Sequence, residues 1–378
     1  MSAVYLDNCA TTIVCKEAAL KAMDAMTVNY GNPSSLHTMG VAAEETLREA
    51  RAHIASSLSC SPDEIYFTSG GTESNNLAIF GAARALARRG RRIVTTMIEH
   101  QSVAEPVNQL EKEGFEVVRL RPGPDGSVSE NDIINAVTPD TILISIMFVN
   151  NETGSIQPMG AARRAAKTAH SPALIHCDAV QAYGRLRFSP AKLGADLVSL
   201  SAHKIHAPKG AGALYIAKGA RILTVTLGGG QEKGLRAGTE PVPAVAAFGA
   251  AARIAFEGLD EYAGIMMSLK EYCTQLLSEL PFISFNSPLI GAPHILNISV
   301  DRIRSETMLH YLASRGIYVS SGSACGRGER SRVLAAQGLL NGRIDSALRI
   351  SFSRYSTRSD VEALVREIAA GERSLVHK

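Results

Sequence analysis

Lys204 stands at the end of Ser201-Ala202-His203-Lys204, directly after the apolar run ADLVSL and before IHAPKGAGALYIA. An amine enclosed at the end of a buried strand loses hydration, so its pKa falls and it can form a Schiff base with an aldehyde. The competing reading is a solvated lysine in a surface loop. Asp178 ends a second apolar run, in His176-Cys177-Asp178-Ala179-Val180-Gln181. A carboxylate at the C-terminal end of a parallel strand lies where open α/β sheets bind ligands. Beside pyridoxal phosphate (PLP), such a carboxylate keeps the pyridine nitrogen protonated and makes the ring an electron sink; at a helix N-terminus it would only cap. The single βαβ step from Asp178 to Lys204 favours the first reading.

The run Thr68-Ser69-Gly70-Gly71-Thr72-Glu73-Ser74 leads from a strand end into a helix expected to begin near Asn75. Its small and hydroxyl residues can turn backbone N–H and side-chain OH groups onto a phosphate at the positive end of that helix. The GxxxxGK[ST] and GxGxxG patterns are missing, so the phosphate is not read as a nucleotide's. His100 follows another strand, in Thr95-Thr96-Met97-Ile98-Glu99-His100, and reads either as a helix cap or as an aromatic plane stacked on a cofactor ring. Asn150-Asn151-Glu152 follows TILISIMFV in the same way. Four strand ends thus deliver polar residues to one edge of a sheet, which packing does not explain. Toward the C-terminus, Cys325 sits in SSGSACGRGER, a polar, Gly-rich, cationic loop whose Arg side chains favour the thiolate. Arg349 is a cation inside the strand-like run ALRIS, and a buried Arg calls for a carboxylate, of the protein or of a substrate held bidentately.

These residues need a scaffold of alternating elements. Apolar β-branched runs alternate with Ala-rich helical patterns through the first two-thirds of the chain, the pattern of an α/β fold with a mostly parallel sheet. Strands are predicted at Ile65–Thr68, Arg92–Thr96, Glu116–Leu120, Thr141–Val149, Leu174–Cys177, Leu197–Leu200 and Ala213–Ile216. Helices are predicted at Ala42–Leu58, Asn75–Arg89, Ser102–Glu113, Met159–His170 and, as one long element bridging two domains, within Pro243–Leu280. Beyond Phe282 the texture is that of a smaller α+β unit, with HILNISV, a helix around Glu306–Ser314, GIYVSS, ALRISFSR and a last helix at Asp360–Ile368. Thr357 or Ser359 is its expected N-cap.

A length of 378 residues fits two domains of ordinary size. Hydrophobic residues at 46% and charged residues at 20% exclude a disordered chain. With 39 Lys+Arg against 36 Asp+Glu the net charge is only +3, and no nucleic-acid partner is expected. The longest apolar stretches fall well short of the roughly 20 residues of a membrane span. MSAVYLDNCATT does not read as a signal peptide, so a cytoplasmic location without a membrane partner is expected. Six cysteines are too sparse for a disulfide framework. Five are expected to be core thiols, with Cys177 facing the sheet interior and Cys9 close enough to the site entrance to be accessible. His203 and His206 have HxxH spacing, but Lys204 lies between them and no metal is expected.

The segments YLDNCATT (5–12), GNPSSLH (31–37), TSGGTESNNLA (68–78), EH (99–100), SIMFVNNETG (145–154), HCDAVQ (176–181), SAHKIHAPKG (201–210), RAGTEP (236–241), APHILNIS (292–299), SSGSAC (320–325) and LRISFSR (348–354) occur in order. Through them the chain resembles the PLP-dependent cysteine desulfurases of the aminotransferase class V family over essentially its whole length. The resemblance implies the type I fold of PLP-dependent transferases. A large PLP-binding domain with a mostly parallel seven-stranded sheet would cover residues 15–255, and a smaller α+β domain, carrying the cysteine loop, residues 1–14 and 256–378.

The resemblance also implies roles. Lys204 would hold PLP in Schiff-base linkage and then act as the proton-transfer base. Asp178 would pair with the pyridinium nitrogen, Gln181 with the phenolic oxygen, and His100 would stack on the ring as a catalytic residue. Gly71, Thr72, Ser201 and His203 would bind the cofactor's phosphate, joined by Thr239 from a second subunit, which makes a homodimer part of the site. Asn151, also against the cofactor, and Arg349 would hold the carboxylate of L-cysteine. Cys325 would attack the substrate sulfur, leaving alanine and a persulfide that passes to an acceptor protein for iron–sulfur cluster assembly or tRNA thiolation. SSGSAC is similar to one desulfurase group, in contrast to the Arg-Xaa-Gly-His-His-Cys pattern of the other. GRGERSR is short and basic, and the chain ends soon after its last helix, so a dedicated acceptor is expected as readily as a cluster scaffold. Rival readings are a selenocysteine lyase or C–S lyase of the same fold and a class V aminotransferase, in which SSGSAC has no role. A catalytically idle sulfur-trafficking scaffold is the third, and the presence of Lys204 and Asp178 argues against it.

Overall fold

In the computed structural model, which describes residues 3–321 and 330–376, the strands in chain order are β1 (Val4–Tyr5), β2 (Ile65–Thr68), β3 (Arg92–Thr96), β4 (Glu116–Leu120), β5 (Thr141–Met147), β6 (Leu174–Asp178), β7 (Leu197–Ser201), β8 (Gly212–Ile216), β9 (Ile283–Phe285), β10 (Ile295–Val300), β11 (Ile317–Tyr318) and β12 (Ala347–Ser351). Seven of them form the central sheet, in the order β2-β8-β7-β6-β5-β3-β4. From β7 to β4 every pairing is parallel, while β8 runs antiparallel to both β7 and β2. β5 is buried along all of its residues, as a parallel strand covered on both faces must be. Met147 pairs with Asp178 and Asp178 with Ser199, so the C-terminal ends of β5, β6 and β7 share one edge.

Alternating side chains feed a core on each face of the sheet. One packs Leu77 and Ile79 of helix Gly71–Leu86 with Val103 and Val107 of helix Gln101–Lys112. The other packs Ile54 and Leu58 of helix Thr38–Leu58 with Phe248 of helix Val242–Glu257. A third core joins Leu6, Leu269, Leu296, Leu348, Ile350 and Leu364. Around it β12, β10 and β9 form an antiparallel sheet, and β1 pairs in parallel with β11, Val4 opposite Ile317. This pairing carries the N-terminal segment into the C-terminal third of the chain.

Besides shifts in where several predicted elements begin or end, two differences from the sequence reading have a visible physical reason. The single long helix within Pro243–Leu280 is instead two, Val242–Glu257 and Leu259–Ser278, bent by 74°. Gly258 stands at the break, and a Cβ there would lie 2.4 Å from the Tyr262 ring. The bend places Phe248 in one core and Leu269 in another. The helix expected near Asn75 starts at Gly71, which puts Thr72 in its first turn. Gly71 is needed there because a Cβ would lie 2.8 Å from Val180 Cγ2. The last helix, Arg358–Ser374, is capped by Thr357 in a capping box with Asp360. No single helix among the described residues is long and apolar enough to cross a membrane.

Candidate active site

A cavity of about 330 Å³ opens at the C-terminal edge of β5, β6 and β7. β7 ends at Ser201, and one 3₁₀ turn, Ala202–Lys204, swings Lys204 back over that edge. The Lys204 ammonium nitrogen donates to the carbonyls of Cys9 and Ala10, the latter at 2.9 Å. Burial, together with the nearby charges of Arg349 and Arg185, pushes its pKa down to about 8. A useful fraction of the amine is therefore neutral near neutral pH, unlike a lysine in a surface loop.

Asp178 is held from two sides. Asn75 Nδ2 donates to Oδ2 at 2.8 Å and the Val180 amide to Oδ1 at 3.0 Å, so the carboxylate caps the following turn and also lines the cavity. Gln181 Nε2 donates to the Cys9 carbonyl at 3.1 Å, while its Oε1 is buried without a partner. Both readings of His100 likewise coexist. It caps helix Gln101–Lys112, accepting at Nδ1 from the Ser102 amide at 3.1 Å, and it lines the cavity. That bond fixes an unprotonated Nδ1. His203 lies 3.2 Å from the Thr11 hydroxyl, and burial with the Lys204 and Lys209 charges pushes its pKa to about 4, so it is neutral at pH 7.

Gly71, Thr72 and Ser201 form the wall beside the helix N-terminus at Gly71. Asn151 and Arg349 form another part of the wall. Arg349, 1% exposed, donates from Nη2 to Asp7 Oδ1 at 2.9 Å and from Nη1 to the Asn151 carbonyl at 3.1 Å. Its Nε is buried and unpartnered. Arg349 therefore has a protein carboxylate and still keeps a donor free.

Ten of the residues singled out by sequence thus meet in one cavity: Gly71, Thr72, His100, Asn151, Asp178, Gln181, Ser201, His203, Lys204 and Arg349. Thr239 is exposed and lies outside it, and Cys325 lies outside the described residues. Cys9 corrects an expectation. It is 1% exposed rather than accessible, because its amide donates to Ser351 Oγ and Asn8 Nδ2 to the Ser351 carbonyl, folding the segment under β12. Cys15, Cys177 and Cys273 are buried free thiols and Cys60 is half-buried. Among the described residues no group of three or more His, Cys, Asp or Glu could hold a metal ion.

Sequence reasoning passed over Asp7, Asn75, Ser102 and the carbonyls of Cys9 and Ala10. Asn75 joins Asp178 to Ser102, whose Oγ accepts at 2.8 Å. Asp7, Cys9 and Ala10 lie in YLDNCATT and Asn75 in TESNNLA, segments whose pattern was visible but whose partners were not.

The family model described as aminotransferase class-V matches residues 4–364. The chain belongs to the aminotransferase class-V family. Within that family its relatives are cysteine desulfurases. A cysteine desulfurase IscS of Methanosarcina thermophila is 41% identical over 369 residues, 97% of this chain and 91% of the relative. A solved NifS-like protein superposes with a TM-score of 0.94 at 38% identity, over 99% of this chain and 100% of that one. SspA, solved in complex with cysteine, superposes with a TM-score of 0.82 at 32% identity, over 93% and 99%. The class-V chain described above thus carries the fold of these enzymes along nearly its full length.

Proposed function

We propose that this chain is a PLP-dependent cysteine desulfurase that converts L-cysteine to L-alanine and takes the sulfur onto Cys325. The observation that carries the reading is the meeting of Lys204, Asp178 and Gln181 with Asn151 and Arg349 around one cavity. PLP fits this donor set. The unpartnered Gln181 Oε1, the anchored Asp178 carboxylate and the Gly71 helix N-terminus offer an acceptor, a negative charge and amide donors where a cofactor with a ring nitrogen and a phosphate needs them. When bound, PLP supplies an aldehyde for the lysine and an electron sink for the substrate.

Lys204, partly neutral near pH 7, would hold the cofactor through its amine and would take the proton from the substrate Cα. Asp178, fixed by Asn75 and Val180, would pair with the ring nitrogen, and Gln181 would hold the phenolic oxygen. His100 would stack on the ring. Gly71, Thr72, Ser201 and His203 would hold the phosphate, and Thr239 of a second copy would complete the site in a homodimer. Asn151 and the free Nε of Arg349 orient the substrate carboxylate. At Cys325 an S–S bond to the substrate sulfur forms as the C–S bond breaks. The electron pair stays on the carbon skeleton, which takes up a proton at Cβ, regains one at Cα from Lys204, and leaves as alanine. The persulfide then passes to an acceptor protein, a cluster scaffold or a tRNA-thiolation enzyme. In this reading residues 15–255 supply the cofactor side, residues 1–14 and 256–378 supply Arg349 and Cys325, and the enzyme works in the cytoplasm. SspA with bound cysteine is a related protein of this fold that takes the same amino acid.

Cys325→Ser tests the assignment. The variant is expected to keep the absorbance of bound PLP and to lose persulfide and sulfide formation. Full activity in it contradicts the proposal.

A further inference from the structure

The segment that carries Cys325 leaves the described chain after Ser321 and rejoins it at Arg330, and both roots are tied to the wall formed by Asn151 and Arg349. Upstream, the Ser320 amide donates to the Arg349 carbonyl at 3.1 Å and the Arg349 amide to the Ser320 carbonyl at 2.7 Å. Downstream, Ser331 Oγ donates to Glu152 Oε2 and accepts from the Leu334 amide at 3.0 Å, capping the short helix Arg332–Ala336. Glu152 adjoins Asn151, whose carbonyl receives Arg349 Nη1. Its own backbone is pinned, since its amide donates to Asn150 Oδ1 at 2.9 Å and its carbonyl accepts from Asn297 Nδ2 at 3.1 Å.

Glu152 and Ser331 are 8% and 4% exposed, and Glu152 does not line the cavity. Burying a carboxyl is unfavourable, and here burial pushes its pKa up to about 7. Capping alone does not explain that cost, because the Ser331 hydroxyl meets the Leu334 amide without help from Glu152. The nearby Arg349 and Arg332 charges offset part of it, and the Glu152–Ser331 bond is where the returning chain is fastened to the substrate-carboxylate wall.

We propose, resting on the desulfurase reading, that Glu152 is a positioning residue for sulfur transfer: through Ser331 it fixes where the chain after the cysteine-bearing segment re-enters the fold relative to Asn151 and Arg349, and thereby sets the rate at which sulfur reaches Cys325. Single-turnover persulfide formation and cysteine binding, read from the cofactor's absorbance, are measured together in the PLP-loaded protein. Glu152→Ala and Ser331→Ala are each expected to slow persulfide formation by about ten- to a hundredfold, while the cysteine concentration that half-saturates the absorbance change stays as in wild type. The double variant is expected to be no slower than the slower single variant, because both remove one bond. Ser331→Asp keeps an acceptor for the Leu334 amide but sets carboxylate against carboxylate, and is expected to be slow. Adding Glu152→Gln, which can donate to that Asp, restores the rate and thereby separates positioning from damage to the fold. Multiplicative losses in the double variant, a loss that follows cysteine binding, or a wild-type rate in either Ala variant overturns the role of Glu152. A wild-type protein that forms no persulfide on Cys325 overturns the desulfurase reading instead.

Discussion

Asp178 and Lys204 reach the cavity from adjacent strands within one βαβ step, whereas Arg349 finds Asp7 across 342 positions of the chain. The cofactor side is a row of short turns, each placed by the end of its own strand, although Lys204 and Gln181 also bond the Cys9 carbonyl and Asp178 the Asn75 side-chain amide. The carboxylate side exists only because β1 pairs with β11 and draws the N-terminus beneath β12. The two sides should therefore fail differently. Damage to the cofactor side removes chemistry and spares the fold, while damage to the carboxylate side also strands a buried charge.

The largest expected effect lies on the cofactor side. Lys204→Ala should lower turnover by about 10³-fold or more, with the melting temperature close to wild type. A melting temperature that collapses with activity would erase the distinction. Next comes Asp7→Ala, which leaves the guanidinium of Arg349 buried without its carboxylate and is expected to cost about 3 kcal/mol of stability in denaturant titration. Asp7→Asn, which keeps an acceptor, should cost less. A smaller effect sharpens the cofactor side further. Because Lys204 must be neutral to bond an aldehyde, and its pKa is pushed down to about 8, capture of added PLP by cofactor-free protein should rise with pH and level off above about pH 8. Below that plateau the rate should fall about tenfold per pH unit. A plateau at the pKa of an ordinary lysine would place the amine in water.

Legibility in the sequence divides along the same line. The strands of the central sheet, Lys204, Asp178 and the Thr357 capping box each depend on a few adjacent residues, and periodicity and end signals expose them. Other features depend on contacts between distant segments. Residue 71 in the first turn must be glycine because Val180 packs against it, and the break at Gly258 answers to Tyr262 and to two separate cores. The pairing of Arg349 was readable as a need for a carboxylate, yet only the fold selects Asp7. Asn75 is the same case, a residue in a visible motif whose bond to Asp178 no local pattern reveals.

The most direct test of the central claim is mass analysis of the Cys325 peptide after PLP-loaded protein is mixed with L-cysteine, with alanine counted in the same sample. The expected result is one added sulfur on Cys325 for each first-turnover alanine, and neither product with Lys204→Ala. Alanine formed while Cys325 stays unmodified, or a persulfide on a different cysteine, would contradict it.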